Sequence, residues 1–187
     1  MRPPLTLRVH ALLERSYANG PGCRAVVWVQ GCSLRCDGCC NPGAQDPDGG
    51  HPVPVANLLA RVRSIEGIEG ITLSGGEPLQ QAEAVGELLQ EVRSTTGLSV
   101  VLFTGYAWDR VNRQPDLATV AGLADIVVAG PFVQGLRLER GLRGSSNQTV
   151  HLLTDRYTLA DLEAVPEVEV VLHDDATVVT GIAVPDP

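Results

Sequence analysis

Ala25-Val26-Val27-Trp28-Val29-Gln30-Gly31-Cys32-Ser33-Leu34-Arg35-Cys36-Asp37-Gly38-Cys39 runs from an apolar segment straight into three thiols within eight residues. The apolar run reads as a buried strand that delivers the chain into a cysteine loop. Gly31 and Gly38 allow the backbone to turn tightly around whatever the sulfurs hold. Clustered thiolates are soft ligands and select zinc, copper(I) or iron–sulfur clusters. Three ligands are one short of a closed four-coordinate site.

Strand and helix patterns alternate on either side of this stretch. Residues 5–13 read as a first strand, and residues 41–54, rich in Pro, Gly and Asp, as a loop. Val55 to Ser64 has apolar residues at helical spacing. Gly70 to Ser74 is a short strand stopped by Gly75-Gly76; Pro78 then suits a first helical turn, and Leu79 to Arg93 continues as an amphipathic helix. Leu98 to Phe103 is the next strand. Residues 107–123 are helical with a break near Pro115, and Ile126 to Ala129 is a strand. Residues 133–147 read as an Arg/Gly-rich loop, Thr149 to Leu153 as a strand and Tyr157 to Val165 as a helix. Val168 to Leu172 and Thr177 to Val184 are two strands around an Asp174-Asp175 turn. This alternation predicts an α/β fold with a mostly parallel sheet and a small C-terminal strand pair. The cysteine loop, Ser74-Gly75-Gly76-Glu77 and Thr104-Gly105 each follow a strand, so all three are expected at the carboxyl edge of the sheet.

The bulk of the sequence narrows the function. The 187 residues suit one domain, residues 1–187, with a core of about 20–157 and a C-terminal extension at 158–187. No apolar run reaches the roughly 18 residues of a membrane span and no signal-peptide pattern is present, so a soluble cytoplasmic protein is expected, with no membrane partner. Five cysteines, three of them bunched, suit a metal site better than a disulfide framework. A net charge of −8 argues against nucleic-acid binding. All 14 basic residues are arginine, which excludes lysine Schiff-base chemistry.

Two chemistries fit the thiols. One is a structural zinc site closed by Cys40, Cys23 or His51, although the spacing is not that of a paired Cys-x2-Cys knuckle. The other is a four-iron cluster on three thiolates, whose fourth iron stays open to an exchangeable ligand.

Cys32-x3-Cys36-x2-Cys39 followed by Ser74-Gly75-Gly76-Glu77-Pro78 resembles the radical S-adenosylmethionine superfamily. Within it the chain is most similar to activating proteins of anaerobic (class III) ribonucleotide reductase, a group of glycyl-radical enzyme activases. Gly20-Pro21-Gly22 with Arg24, Val29-Gln30-Gly31-Cys32, Cys39-Cys40-Asn41-Pro42, Phe103-Thr104-Gly105-Tyr106, Gly130-Pro131-Phe132 and Arg143-Gly144-Ser145-Ser146-Asn147-Gln148 carry that likeness over roughly residues 20–150. The resemblance implies an incomplete (partial) radical SAM β/α barrel. It implies a [4Fe-4S] cluster on Cys32, Cys36 and Cys39, with S-adenosylmethionine held by Ser74, Gly75, Gly76, Glu77, Thr104 and Gly105. Reductive cleavage would give a 5′-deoxyadenosyl radical that takes hydrogen from a glycine of a glycyl-radical partner, with reduced flavodoxin or ferredoxin as electron donor. Glu77 or local backbone carbonyls would accept from the cofactor's ammonium group, and Gly75 and Gly76 would let it approach closely. A radical enzyme acting on a peptide or small metabolite, and a zinc- or cluster-stabilised binding module without turnover, are the competing functions. Arg137, Arg140 and Arg143 read as a solvated charged loop or a docking site. Cys23 and Cys40 are not assigned as ligands, and His10, His51, His151 and His173 have no assigned role. Leu34 and Ala129 depart from the activase pattern, which often has His and Asp there.

Overall fold

A computed structural model describes residues 3–172 and 177–183. Its centre is a seven-stranded sheet in the order β3-β1-β2-β4-β5-β6-β9. The four middle strands, β2 (Arg24–Val29), β4 (Gly70–Gly75), β5 (Ser99–Thr104) and β6 (Ile126–Ala129), run parallel. β1 (Thr6–Ser16) pairs antiparallel with β2, β3 (His51–Pro54) antiparallel with β1, and β9 (Thr149–Leu152) antiparallel with β6. The parallel run is the part that alternating strands and helices predict; its flanks are antiparallel additions.

Strand alternation sorts the side chains. Ala25, Val27, Val29, Ile71, Leu73, Val100, Leu102 and Val127 face a core shared with α1 (Val55–Ser64), α2 (Ala82–Thr95) and α4 (Pro115–Ala121). The apolar stripes of those helices, such as Leu58, Leu59 and Val62 or Val85, Leu88, Leu89 and Val92, are buried against it. Alternate residues face the other side of the sheet. The register stacks them as Val26, Thr72, Val101 and Ile126, with Trp28, Ser74, Phe103 and Val128 one layer nearer the carboxyl edge. Val101, Ile126 and Val128 pack there with Leu142 and with Leu162 of α5 (Leu159–Glu163).

Several sequence expectations change. Residues 51–54, read as loop, form the edge strand β3, where two prolines are tolerated. The helix expected from Leu79 starts instead as a 3-10 turn over Pro78–Gln81 and becomes α-helical at Ala82. The segment 107–123 breaks at Pro115 as expected, into α3 (Trp108–Arg113) and α4. Residues 133–147 are not a loop: after a 3-10 turn they form the hairpin β7 (Arg137–Arg140) and β8 (Arg143–Ser145). β10 (Val168–Leu172) and β11 (Thr177–Gly181) form the expected separate antiparallel pair. The Asp174-Asp175 turn, His173 and Val184 lie outside the described residues.

Candidate functional site

The carboxyl ends of β2, β4, β5 and β6 open onto one cleft, enclosing about 1090 Å³ of space continuous with solvent. Cys32, Cys36, Cys39, Ser74, Gly75, Gly76, Glu77, Thr104 and Gly105 all line it. The three strand-end motifs singled out in the sequence therefore come together.

They are also interlocked. The amide of Gly76 donates to Val29 O at 2.8 Å and that of Glu77 to Gly31 O at 2.9 Å, so the turn after β4 is stitched to the base of the cysteine loop. A Cβ at Gly76 would lie 2.3 Å from Gly31 O and 2.9 Å from Ala44 O. One at Gly75 would lie 2.6 Å from Val29 N. Both glycines are thus required by backbone meeting backbone, a demand that stands beside the expected close approach of a ligand.

Glu77 has a structural role as well as a place on the cleft. Its side chain is completely buried. Oε1 accepts from Thr104 Oγ1 (2.8 Å) and Leu79 N (3.0 Å), and Oε2 from Gly105 N (2.7 Å). The carboxylate is a strut joining the β4 turn to the end of β5. Burial raises its pKa above the ordinary carboxylate value, against the pull of those three donors.

The cysteine loop is held along its length. Gly31 N donates to Ala44 O and Cys32 N to Gln45 O, closing its return leg. Gln30, nearly inaccessible, fixes that leg: Nε2 donates to Gly43 O (3.0 Å) and Asp46 O (2.7 Å), while Oε1 lies 2.7 Å from His10 Nδ1. Ser33 bonds Gln80 through its backbone and its hydroxyl, and Gln80 reaches Tyr106. Leu34 packs on Gly105, where a Cβ would lie 2.3 Å from Leu34 Cδ1. Arg35 adopts φ +49°, the strained left-handed region, inside this loop. Gln30, Gln80 and His10 were not legible as site supports: an isolated polar residue gives no periodic signal.

The Ser-Ser-Asn-Gln stretch forms a bracket over the segment after β6. Gln148 Oε1 accepts from Gly144 N and Ser145 N, its Nε2 donates to Gly130 O, and Asn147 Nδ2 donates to Pro131 O. Two arginines of the hairpin are ion-paired at the surface, Arg137 with Glu139 and Arg140 with Glu163. Arg137 also lines the cleft.

Of the other thiols, Cys23 is buried just before β2, at the opposite edge of the sheet. Cys40 borders the cleft as an exposed residue, yet desolvation around its sulfur pushes its thiol up to about 11. Burial likewise raises Cys32 and Cys36. Among the described residues, no three Cys, His, Asp or Glu side chains are gathered closely enough to hold one metal ion. Zinc would draw its ligands to about 2.3 Å from a single point. A cluster seats each thiolate on a separate iron, and three thiols spread along one loop suit that better.

Residues 18–151 match the family model described as 4Fe-4S single cluster domain. The chain is similar to the anaerobic ribonucleoside-triphosphate reductase-activating protein of Escherichia coli K12, 33% identical over 155 residues, covering 79% of this chain and 99% of that protein. The protein of the same name from Enterobacteria phage T4 is 32% identical, over 74% of this chain and 90% of its own length. The pyruvate formate-lyase-activating enzyme of Clostridium pasteurianum is 31% identical over 54% of this chain and 44% of its own length. No helix among the described residues is long and apolar enough to cross a membrane.

Proposed function

The chain belongs to the 4Fe-4S single cluster domain family, and on that footing we propose that it is a radical S-adenosylmethionine activase acting on a glycyl-radical partner, an anaerobic ribonucleotide reductase. The observation that carries this is the convergence, in one cleft, of a three-thiol loop with the glycine-backed ends of β4 and β5. Cys32, Cys36 and Cys39 would hold the [4Fe-4S] cluster. Ser74, Gly75, Gly76, Thr104 and Gly105 would face S-adenosylmethionine with backbone groups and small side chains. When both are bound, they would supply the electron and the hydrogen-abstracting group for radical formation at a glycine Cα of the partner, while Cys32, Cys36 and Cys39 hold the cluster. The protein's own work is positional. Its interlocked turns fix the cluster loop against the cofactor edge, and the apolar walls Trp28, Phe103 and Phe132 limit water at the reacting atoms.

Glu77 supports this indirectly, since its carboxylate is occupied by Thr104, Gly105 and Leu79. The cofactor's ammonium group would then meet backbone carbonyls of the β4 turn or the one acceptor site left on Glu77 Oε2. We read the open sheet with its parallel centre as the incomplete barrel expected from the sequence. A cytoplasmic location, a reduced flavodoxin or ferredoxin as donor, and no nucleic-acid partner complete the proposal.

The test is anaerobic reconstitution with iron and sulfide. The activase reading predicts a brown protein that releases deoxyadenosine on reduction with S-adenosylmethionine and leaves an EPR-visible glycyl radical on the reductase. Deoxyadenosine without a protein radical would favour a peptide or metabolite substrate. A colourless protein would end the radical reading.

A further inference from the structure

The family match stops at residue 151, yet the chain beyond it builds part of the cleft. Gly181 and Ile182, at the end of β11, line it together with Asn19 and Trp28. The segment that carries them is anchored by one buried polar chain with both ends beyond residue 151. Tyr157 Oη meets Ser99 Oγ at 2.7 Å, and Arg24 Nη1 donates to the same Ser99 Oγ at 2.9 Å. Arg24 Nε donates to Thr72 Oγ1, which donates to Asn19 O. Asn19 Nδ2 then donates to Thr180 Oγ1 at 2.8 Å. Beside this, the Glu169 carboxylate accepts from Ser16 Oγ and Tyr17 N. Ser16, Asn19, Arg24, Thr72, Ser99 and Thr180 are all buried. A satisfied buried network of this kind fixes geometry, so the strand pair is a rigid wall and not a lid.

Its level in the cleft shows what it faces. Asn19 rests on Thr72, one layer below Ser74 in the strand register. The extension therefore meets the cleft beneath the strand ends that carry the motifs for cluster and cofactor. That level is what remains for the molecule that gives up hydrogen.

We infer that the β10–β11 pair is the target-selecting wall of the cleft, with Ile182 the side chain that meets the incoming polypeptide of the glycyl-radical partner; this rests on the function proposed above. A branched apolar side chain next to a glycine selects by excluding bulk and offers no charge to bind.

The experiment uses the full chain, reconstituted, with the anaerobic ribonucleoside-triphosphate reductase of Escherichia coli as target. Ile182→Trp and Ile182→Ala are compared with the unsubstituted enzyme, and Leu172→Ser, on a residue 76% exposed on the same pair, is the folding control. Glycyl radical is measured by EPR against target concentration, and deoxyadenosine release is measured without target. Ile182→Trp is expected to raise the half-saturating target concentration about tenfold and to lower the ratio of target-dependent to target-free turnover. Ile182→Ala, which cannot clash, is expected to shift half-saturation about threefold. Unchanged half-saturation in both variants, or an equal fall in both activities, overturns the inference. If the unsubstituted enzyme releases deoxyadenosine but leaves no radical on the reductase, the partner proposed above is refuted and this inference falls with it; absence of deoxyadenosine refutes the radical reading itself.

Discussion

Gly76→Ala is the smallest change that probes how the site is built. The added methyl would start 2.3 Å from Gly31 O, 2.8 Å from Gly31 C and 2.9 Å from Ala44 O. All three are backbone atoms, so no rotamer change relieves the clash. Reaching ordinary contact needs a retreat of about 1 Å, in a region where overpacking costs about 1–3 kcal/mol. The retreat pulls on two hydrogen bonds, Gly76 N to Val29 O and Glu77 N to Gly31 O. At about 1 kcal/mol each, their loss brings the total to about 3–5 kcal/mol. For a chain of this size that is about 6–20 °C in melting temperature. Because Gly31 precedes Cys32, the first of the three proposed cluster cysteines, iron retention should fall along with stability. The assay is a thermal melt paired with iron counting after reconstitution. Gly97→Ala, where nothing lies within 4 Å of the new methyl, is the matched control and should be neutral or slightly stabilising. If Gly76→Ala melts with the wild type and keeps full iron, the two motifs do not meet backbone to backbone and the reasoning fails.

Glu77→Gln should cost about 1–3 kcal/mol, because the amide leaves one of three buried donors facing another donor. Its pH signature is specific. Burial raises the folded pKa of Glu77, so the folded state holds that proton more tightly than the unfolded chain does. The group's contribution is full below the ordinary carboxylate pKa and is lost as pH rises through the folded value. Urea melts across that window should show this decline in the wild type and not in the variant. Gln30→Leu should loosen the return leg of the cysteine loop by removing the donor to Gly43 O and Asp46 O; a loss of about 2–3 kcal/mol and faster iron release to a chelator are expected. Alanine at Cys32, Cys36 or Cys39 should abolish the brown chromophore, whereas Cys23→Ala and Cys40→Ala should keep it, as visible spectra and iron counts will report.

Much of this was legible in the sequence because it rested on periodicity and punctuation. Val55 to Ser64 and Ile126 to Ala129 match the expected elements end to end, since each is a run of regular apolar spacing between clear breakers. The meeting of the three motifs followed from strands that all end at one edge. The edge strand β3 escaped because prolines dominate it, and the β7–β8 hairpin because glycine and arginine there look like loop. Side-chain roles were least legible. The motif glutamate reads as an open acceptor in sequence, and only three-dimensional proximity shows that Thr104 and Gly105 occupy it. The same holds for Ile182, whose place in the cleft depends on a polar chain running from Tyr157 to Thr180 through residues far apart in sequence.

Electron–nuclear double resonance on the reduced, reconstituted protein with S-adenosylmethionine labelled with 15N at its amino group would be decisive. Three thiolates on an open-cornered cluster predict a hyperfine coupling to that nitrogen, undiminished in Cys40→Ala. A missing coupling, or one that emerges only after Cys40 is removed, would mean that the corner is already closed by protein.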